Sequence, residues 1–155
     1  MADNRQICEK YAKMGQKLID TEDALFDVRQ SAATIIYLSS DFAKTDSGRI
    51  VLGQCEKVAD KYKWSIPADF TITLFEPNIE GKSDEAIRRI IFHELLHVGI
   101  GTKQDGDERY YVRGHDFEDF KVIIDRWGTD YASVGEMPEF EANMEEWKAV
   151  SEDGK

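Results

Sequence analysis

Cysteine is scarce in this 155-residue chain: Cys8 and Cys55 are the only two, and neither belongs to a C-x-x-C pair. That usage points to a reduced, cytoplasmic protein rather than a disulfide-built scaffold. Long apolar runs are missing too. No stretch approaches the ~20 consecutive apolar residues needed to span a bilayer. The opening Met-Ala-Asp-Asn-Arg-Gln lacks the apolar core of a signal peptide. Positive charge is in deficit, with 20 Lys and Arg against 31 Asp and Glu and a net charge of −11. This argues against a general nucleic-acid or anionic-membrane surface, since both require a cationic face. Arg88-Arg89 is one candidate for a local basic patch. No internal repeat, low-complexity segment or phosphate-cradling glycine loop is found.

What remains is an ordinary globular composition, 33% charged and 41% hydrophobic. The length suits a single domain over residues 1–150, with residues 151–155 as a frayed tail. Ile7, Tyr11, Met14 and Leu18 recur at amphipathic-helix spacing, and a weaker helical stretch includes Leu25 and Val28. Residues 33–38 read as a buried strand. Residues 49–53 read as the return strand of a hairpin, with Gly53 a bulge or strand end. Residues 56–64 suggest a short helix or an irregular crossing. Phe70-Thr-Ile-Thr-Leu-Phe75 is a strand by its β-branched and aromatic content.

Ser83 is then a plausible N-cap, with Asp84 and Glu85 where the helix dipole favours acids. This helix should run to Val98 and end at Gly99 or Gly101. Tyr110 to Val112 reads as a small strand or a packed loop. Phe117, Phe120, Ile124 and Trp127 mark another amphipathic helix, ending at Gly128. A last helix should begin near Pro138 and carry Phe140, Met144 and Trp147.

The functional signal lies within the Ser83 helix, at His93-Glu94-Leu95-Leu96-His97. Two histidines at i and i+4 share one helix face, so both imidazoles can meet one ion. The glutamate between them is placed to polarise a water held by that ion. Mere packing is the competing explanation. The neighbours Ile90, Ile91, Phe92, Leu95, Leu96 and Val98 make the helix apolar almost all round. An unsatisfied polar group there would cost about 1–3 kcal/mol, and a metal removes that cost for the histidines.

A catalytic zinc takes three protein ligands and keeps one position open. The chain has only three histidines, and the third is His115. In helical register His115 would point away from the Phe117/Phe120/Ile124/Trp127 stripe, so a position at the cap is one way for it to reach the ion. Glu139 or Glu141 is the carboxylate alternative for the third ligand. Tyr110, Tyr111 and Arg113 could donate to a developing oxyanion, though core packing and surface charge also explain them. Asp116 and Asp119 could orient a ligand imidazole, or simply be first-turn acids. With the histidines given to metal, no Ser-His-Asp arrangement is available.

At His93–His97, together with Gly114-His115 and Phe120, the chain resembles the phage metallopeptidase family. It is more distantly similar to the SprT-like, Spartan-type proteases, which pair H-E-x-x-H with a later Gly-His. The resemblance spans about residues 35–127. It implies a zincin-like fold, His93, His97 and His115 as ligands of one Zn2+ per chain, and Glu94 as general base. It also implies that Phe70–Phe75 forms the edge along which an extended peptide lies. Spartan-type enzymes act on DNA-bound proteins through separate DNA-binding parts. This acidic chain shows no such parts, so that substrate class is not carried over. A third group, the repressor-cleaving ImmA/IrrE regulators, takes its third ligand from a downstream glutamate, and residues 139–143 are similar to that pattern.

The sequence therefore leads to an α+β, zincin-like domain with a small, mainly antiparallel sheet and the H-E-x-x-H helix packed behind it. The expected activity is zinc-dependent hydrolysis of a protein or peptide substrate, in the cytoplasm (a host's, if the chain is viral). No direct nucleic-acid partner and no membrane are expected. The alternative is a non-catalytic acidic interaction protein with structural or vestigial zinc, even a nucleic-acid mimic. A third possibility is a protease held inactive by its own 138–150 helix.

Overall fold

The computed structural model describes residues 3–118 and 120–129, and the chain divides into two compact units, residues 1–114 and 115–155. The first unit opens with strand β1 (Arg5–Ile7) and helix α1 (Glu9–Thr21). Ile7 belongs to the strand and is exposed, so it is not part of the helix stripe. The helix buries Tyr11, Gly15 and Ile19, with Met14 and Leu18 half-buried beside them. Gly15 accounts for the rotation. A Cβ there would fall 2.3 Å from the Tyr37 hydroxyl and 2.4 Å from its ring. Apolar periodicity gives glycine no weight, yet its missing side chain is what seats this helix on Tyr37.

Helix propensity alone would favour Gly15→Ala by up to ~1 kcal/mol. Overlap with a buried ring opposes that gain, and overpacking commonly costs ~1–3 kcal/mol. Gly15→Ala is therefore expected to lower the urea midpoint of unfolding, and a raised midpoint would contradict the packing argument.

A 3-10 turn (Asp23–Leu25) and helix α2 (Phe26–Gln30) follow, burying Leu25 and Val28. Strand β2 (Ile35–Ser40) lies two residues later than the sequence pattern suggested. The hairpin β3 (Thr45–Asp46) and β4 (Arg49–Ile50) turns at Ser47 and Gly48. Both have positive φ, 51° and 77°, as a type I′ turn requires. The return strand stops at Ile50, short of the expected Gly53. Gly53 opens a separate strand, β5 (Gly53–Lys57). A 3-10 turn (Asp60–Tyr62) then leads to β6 (Phe70–Phe75), short helix α3 (Glu76–Ile79) and α4 (Asp84–Leu96). Strands β7 (Val98–Thr102) and β8 (Glu108–Val112) end the regular structure of this unit.

The main sheet has the order β1-β2-β6-β5. The β1–β2 and β5–β6 pairings are antiparallel and β2–β6 is parallel, so this is an α+β unit with a mostly antiparallel sheet. One expectation is overturned. Phe70–Phe75 is not an edge, because β6 is hydrogen-bonded on both sides; the edges are β1 and β5. Its side chains alternate. Phe70, Ile72 and Leu74 join the core with Ile87, Ile91 and Leu95 of α4. Burial of such residues contributes about 1.5–3 kcal/mol each. Thr73 and Phe75 are equally buried. The Arg5 guanidinium donates to Thr73 at 3.2 Å and to Glu56 at 2.9 Å, and it stands 5.9 Å from the Phe75 ring centre.

Helix α4 begins as its sequence demands. Ser83 Oγ accepts the Ala86 N–H at 3.2 Å, a cap worth ~1 kcal/mol. The helix ends at Leu96, however, and the expected C-terminal glycines lie inside β7. Gly99 is paired with Tyr111 and Gly101 with Arg109. A Cβ on Gly99 would meet the Tyr111 ring at 2.5 Å, so this glycine makes room for a cross-strand aromatic rather than capping a helix.

The second unit contributes α5 (Lys121–Trp127). Phe120 is its N-cap, in extended conformation, and Phe117 lies before it, so only Ile124 and Trp127 of the expected stripe are helical. Gly128 ends the helix at φ 78°. The expected helix from Pro138, the tail 151–155, and Asp119, Glu139 and Glu141 lie outside the described residues.

Candidate metal centre

His93 sits in the last turn of α4 and His97 is its C-cap, still at αR dihedrals. The i, i+4 relation therefore survives to the end of the helix, and the two rings lie edge to face with centres 5.1 Å apart. The next step belongs to the β7–β8 hairpin. Its register pairs Val98 with Val112, which returns Arg113 to His97. The Arg113 N–H donates to the His97 carbonyl at 2.7 Å. The Arg113 carbonyl lies 2.6 Å from His97 Nδ1. A carbonyl can only accept, so Nδ1 carries a proton, and Nε2 is the ring nitrogen left to face a metal.

Arg113 thus has a place at the site, but through its backbone. Asp116 and Asp119 were the sequence candidates for an orienting group, and nothing in the residue types could have revealed a carbonyl. Glycine and His115 follow Arg113 directly. His93, His97 and His115 each offer a ring nitrogen, and these atoms all lie within 4.8 Å of one another. Three imidazole nitrogens at this spacing can hold a metal ion, and imidazole suits the later first-row metals. His115 lies in no helix, which removes the register difficulty raised by the Phe117–Trp127 pattern.

Glu94 points from the same helix turn toward β5. It is 6% exposed, and burial pushes its carboxyl up to about 7. The His97 ring and the Cys55 backbone amide pull in the opposite direction. The strand parity explains the second effect. Phe75 N–H bonds to Leu52 O and Val58 N–H to Asp69 O, so alternate positions of β5 face β6. Gly53, Cys55 and Lys57 therefore direct their backbone groups away from β6. Gly53 also explains its own residue type, since a Cβ there would stand 3.2 Å from Glu94 Cγ. The sequence signal was present, because a strand glycine marks a close approach as readily as a bulge. Cys55 is buried nearby, and desolvation followed by the charges of Glu94 and Glu56 pushes its thiol up to about 12.

A cavity of about 480 Å³ adjoins His93 and Glu94, bounded by residues 49–53 and by Arg89 and Ile90. Tyr110 and Tyr111 have structural places. The Tyr110 ring packs 5.9 Å from Phe70, and Tyr111 lies across Gly99 beneath the Arg109 guanidinium, 4.9 Å away.

Residues 4–151 match the family model described as Putative phage metallopeptidase. The chain belongs to this family. No curated protein and no solved structure matches it. The family description agrees with the histidine group, and a peptidase family takes proteins or peptides as substrates. Among the described residues, no helix is long and apolar enough to cross a membrane.

Proposed function

We propose that the chain is a zinc-dependent metallopeptidase of zincin-like architecture, with His93, His97 and His115 as ligands and Glu94 as general base. The observation that supports it best is the convergence of three imidazoles with a buried carboxylate on the intervening helix position. His93, His97 and His115 would hold a zinc ion, which would supply Lewis acidity toward a water and the scissile carbonyl. Glu94 takes the proton from the attacking water and hands it to the leaving amine. The Arg113 carbonyl keeps His97 in the ligating tautomer. The edge of β5 at Gly53, ahead of the Cys55 amide that Glu94 accepts from, rather than the interior Phe70–Phe75 strand, is where an extended peptide can pair. Gly53 lies at that edge beside Glu94.

The test is metal content. Protein expressed with zinc should carry one zinc per chain, and His115→Ala should bind it far more weakly, by a factor of about 10–100 or more. Equal zinc in both proteins would move the third ligand to Glu139 or Glu141. A fourth protein ligand on the ion would favour the structural-zinc alternative. No metal in either would end the reading.

A further inference from the structure

Away from the metal centre, α1 and α4 enclose a groove of about 580 Å³. Its floor is apolar, made by half-buried Met14, Leu18 and Phe92. Its rim carries exposed Lys13, Lys17 and Arg88, and among the described residues none of these three forms an ion pair. Two acids also border it, Glu22 and Glu85, and Glu85 is engaged with Arg89 at 2.8 Å. In a chain of net charge −11 this is a local reversal of sign. At physiological salt the Debye length is ~8 Å, so the rim rather than the distant acids governs what docks.

We propose that this groove is an exosite that takes an acidic amphipathic helix of a protein substrate. Apolar floor and cationic rim match the two faces of such a helix, which is the helix-in-groove mode of recognition. A nucleic acid would need a longer cationic track and open stacking faces. The groove also neighbours the cavity on the His93 and Glu94 side of α4. Arg89 borders both the groove and the cavity beside His93 and Glu94. A segment docked between α1 and α4 therefore ends one side chain, Arg89, away from the cavity beside Glu94. This deepens the peptidase reading and rests on it for the final step.

The test uses the full chain and a labelled helical peptide with leucine and phenylalanine on one face and glutamate on the other. Fluorescence anisotropy should show salt-sensitive binding that Lys17→Glu combined with Arg88→Glu weakens by at least ~10-fold. Both side chains are exposed, so an unchanged urea midpoint is expected to certify folding. Unchanged affinity in the double variant would overturn the proposal, as would equal binding of a scrambled peptide of the same composition. Displacement of the peptide by lower concentrations of single-stranded DNA would also overturn it and reassign the groove. In a second arm the helix is joined to a cleavable segment. The double variant should raise KM ~10-fold at constant kcat and leave short peptides unaffected. If wild type cleaves nothing, the peptidase reading fails, while the binding arm still decides the groove.

Discussion

Glu94→Gln is expected to retain the metal and to lose peptide hydrolysis by about 10²–10⁴-fold, the usual contribution of a positioned general base. Glutamine is the informative replacement because Glu94 is 6% exposed and Gly53 leaves it little room. It keeps the volume and an acceptor for the Cys55 amide, but it cannot take the proton from water. Alanine would open a cavity beside β5 and confuse chemistry with packing. His97→Ala should behave differently, losing both metal and activity, since it removes the imidazole that the Arg113 carbonyl holds in place. Metal per chain and turnover on a peptide mixture, measured on all three proteins, separate the two effects. Undiminished turnover in Glu94→Gln would sink the mechanism.

Phe70→Ala should cost about 3–5 kcal/mol, against the ~5–15 kcal/mol by which a domain of this kind is stable. Phe70 is fully buried in an interior strand, packed into the core shared with α4 and against Tyr110. Its neighbours belong to the same packed core, where relaxation into a void is partial. Phe75 is just as buried, yet on the other face its ring is overlain by the Arg5 and Lys44 side chains. Long, flexible stems can settle into the space, so Phe75→Ala should cost less. Urea unfolding of the two variants checks the order, and a larger loss at Phe75 would refute it. Phe70→Ala should also weaken metal binding. Tyr110 lies in β8, and β8 sets Arg113 against His97.

The motif and its helix were legible early because both are local. Ser83, the acidic first turn and the apolar run of α4 act within a few residues of one another. So do the β-branched residues of β6. Misreadings arose where a glycine served a distant partner. Gly99 looked like a helix terminator but makes space for Tyr111, and Gly15 carried no apolar signal although Tyr37 rests on it. The strand order was equally hidden. Whether Phe70–Phe75 is an edge depends on β2 and β5, from two other stretches of chain.

By itself the sequence determined that two histidines lie four residues apart at the end of a helix with a glutamate between them. Helical periodicity is a property of neighbouring residues, and it needs no further context. Only the tertiary structure decided which carbonyl orients His97, which strand presents its edge to Glu94, and that a third imidazole lies within reach of the first two. Those relations depend on backbone groups, which carry no signature in residue type, and on strand register set by packing across the whole sheet.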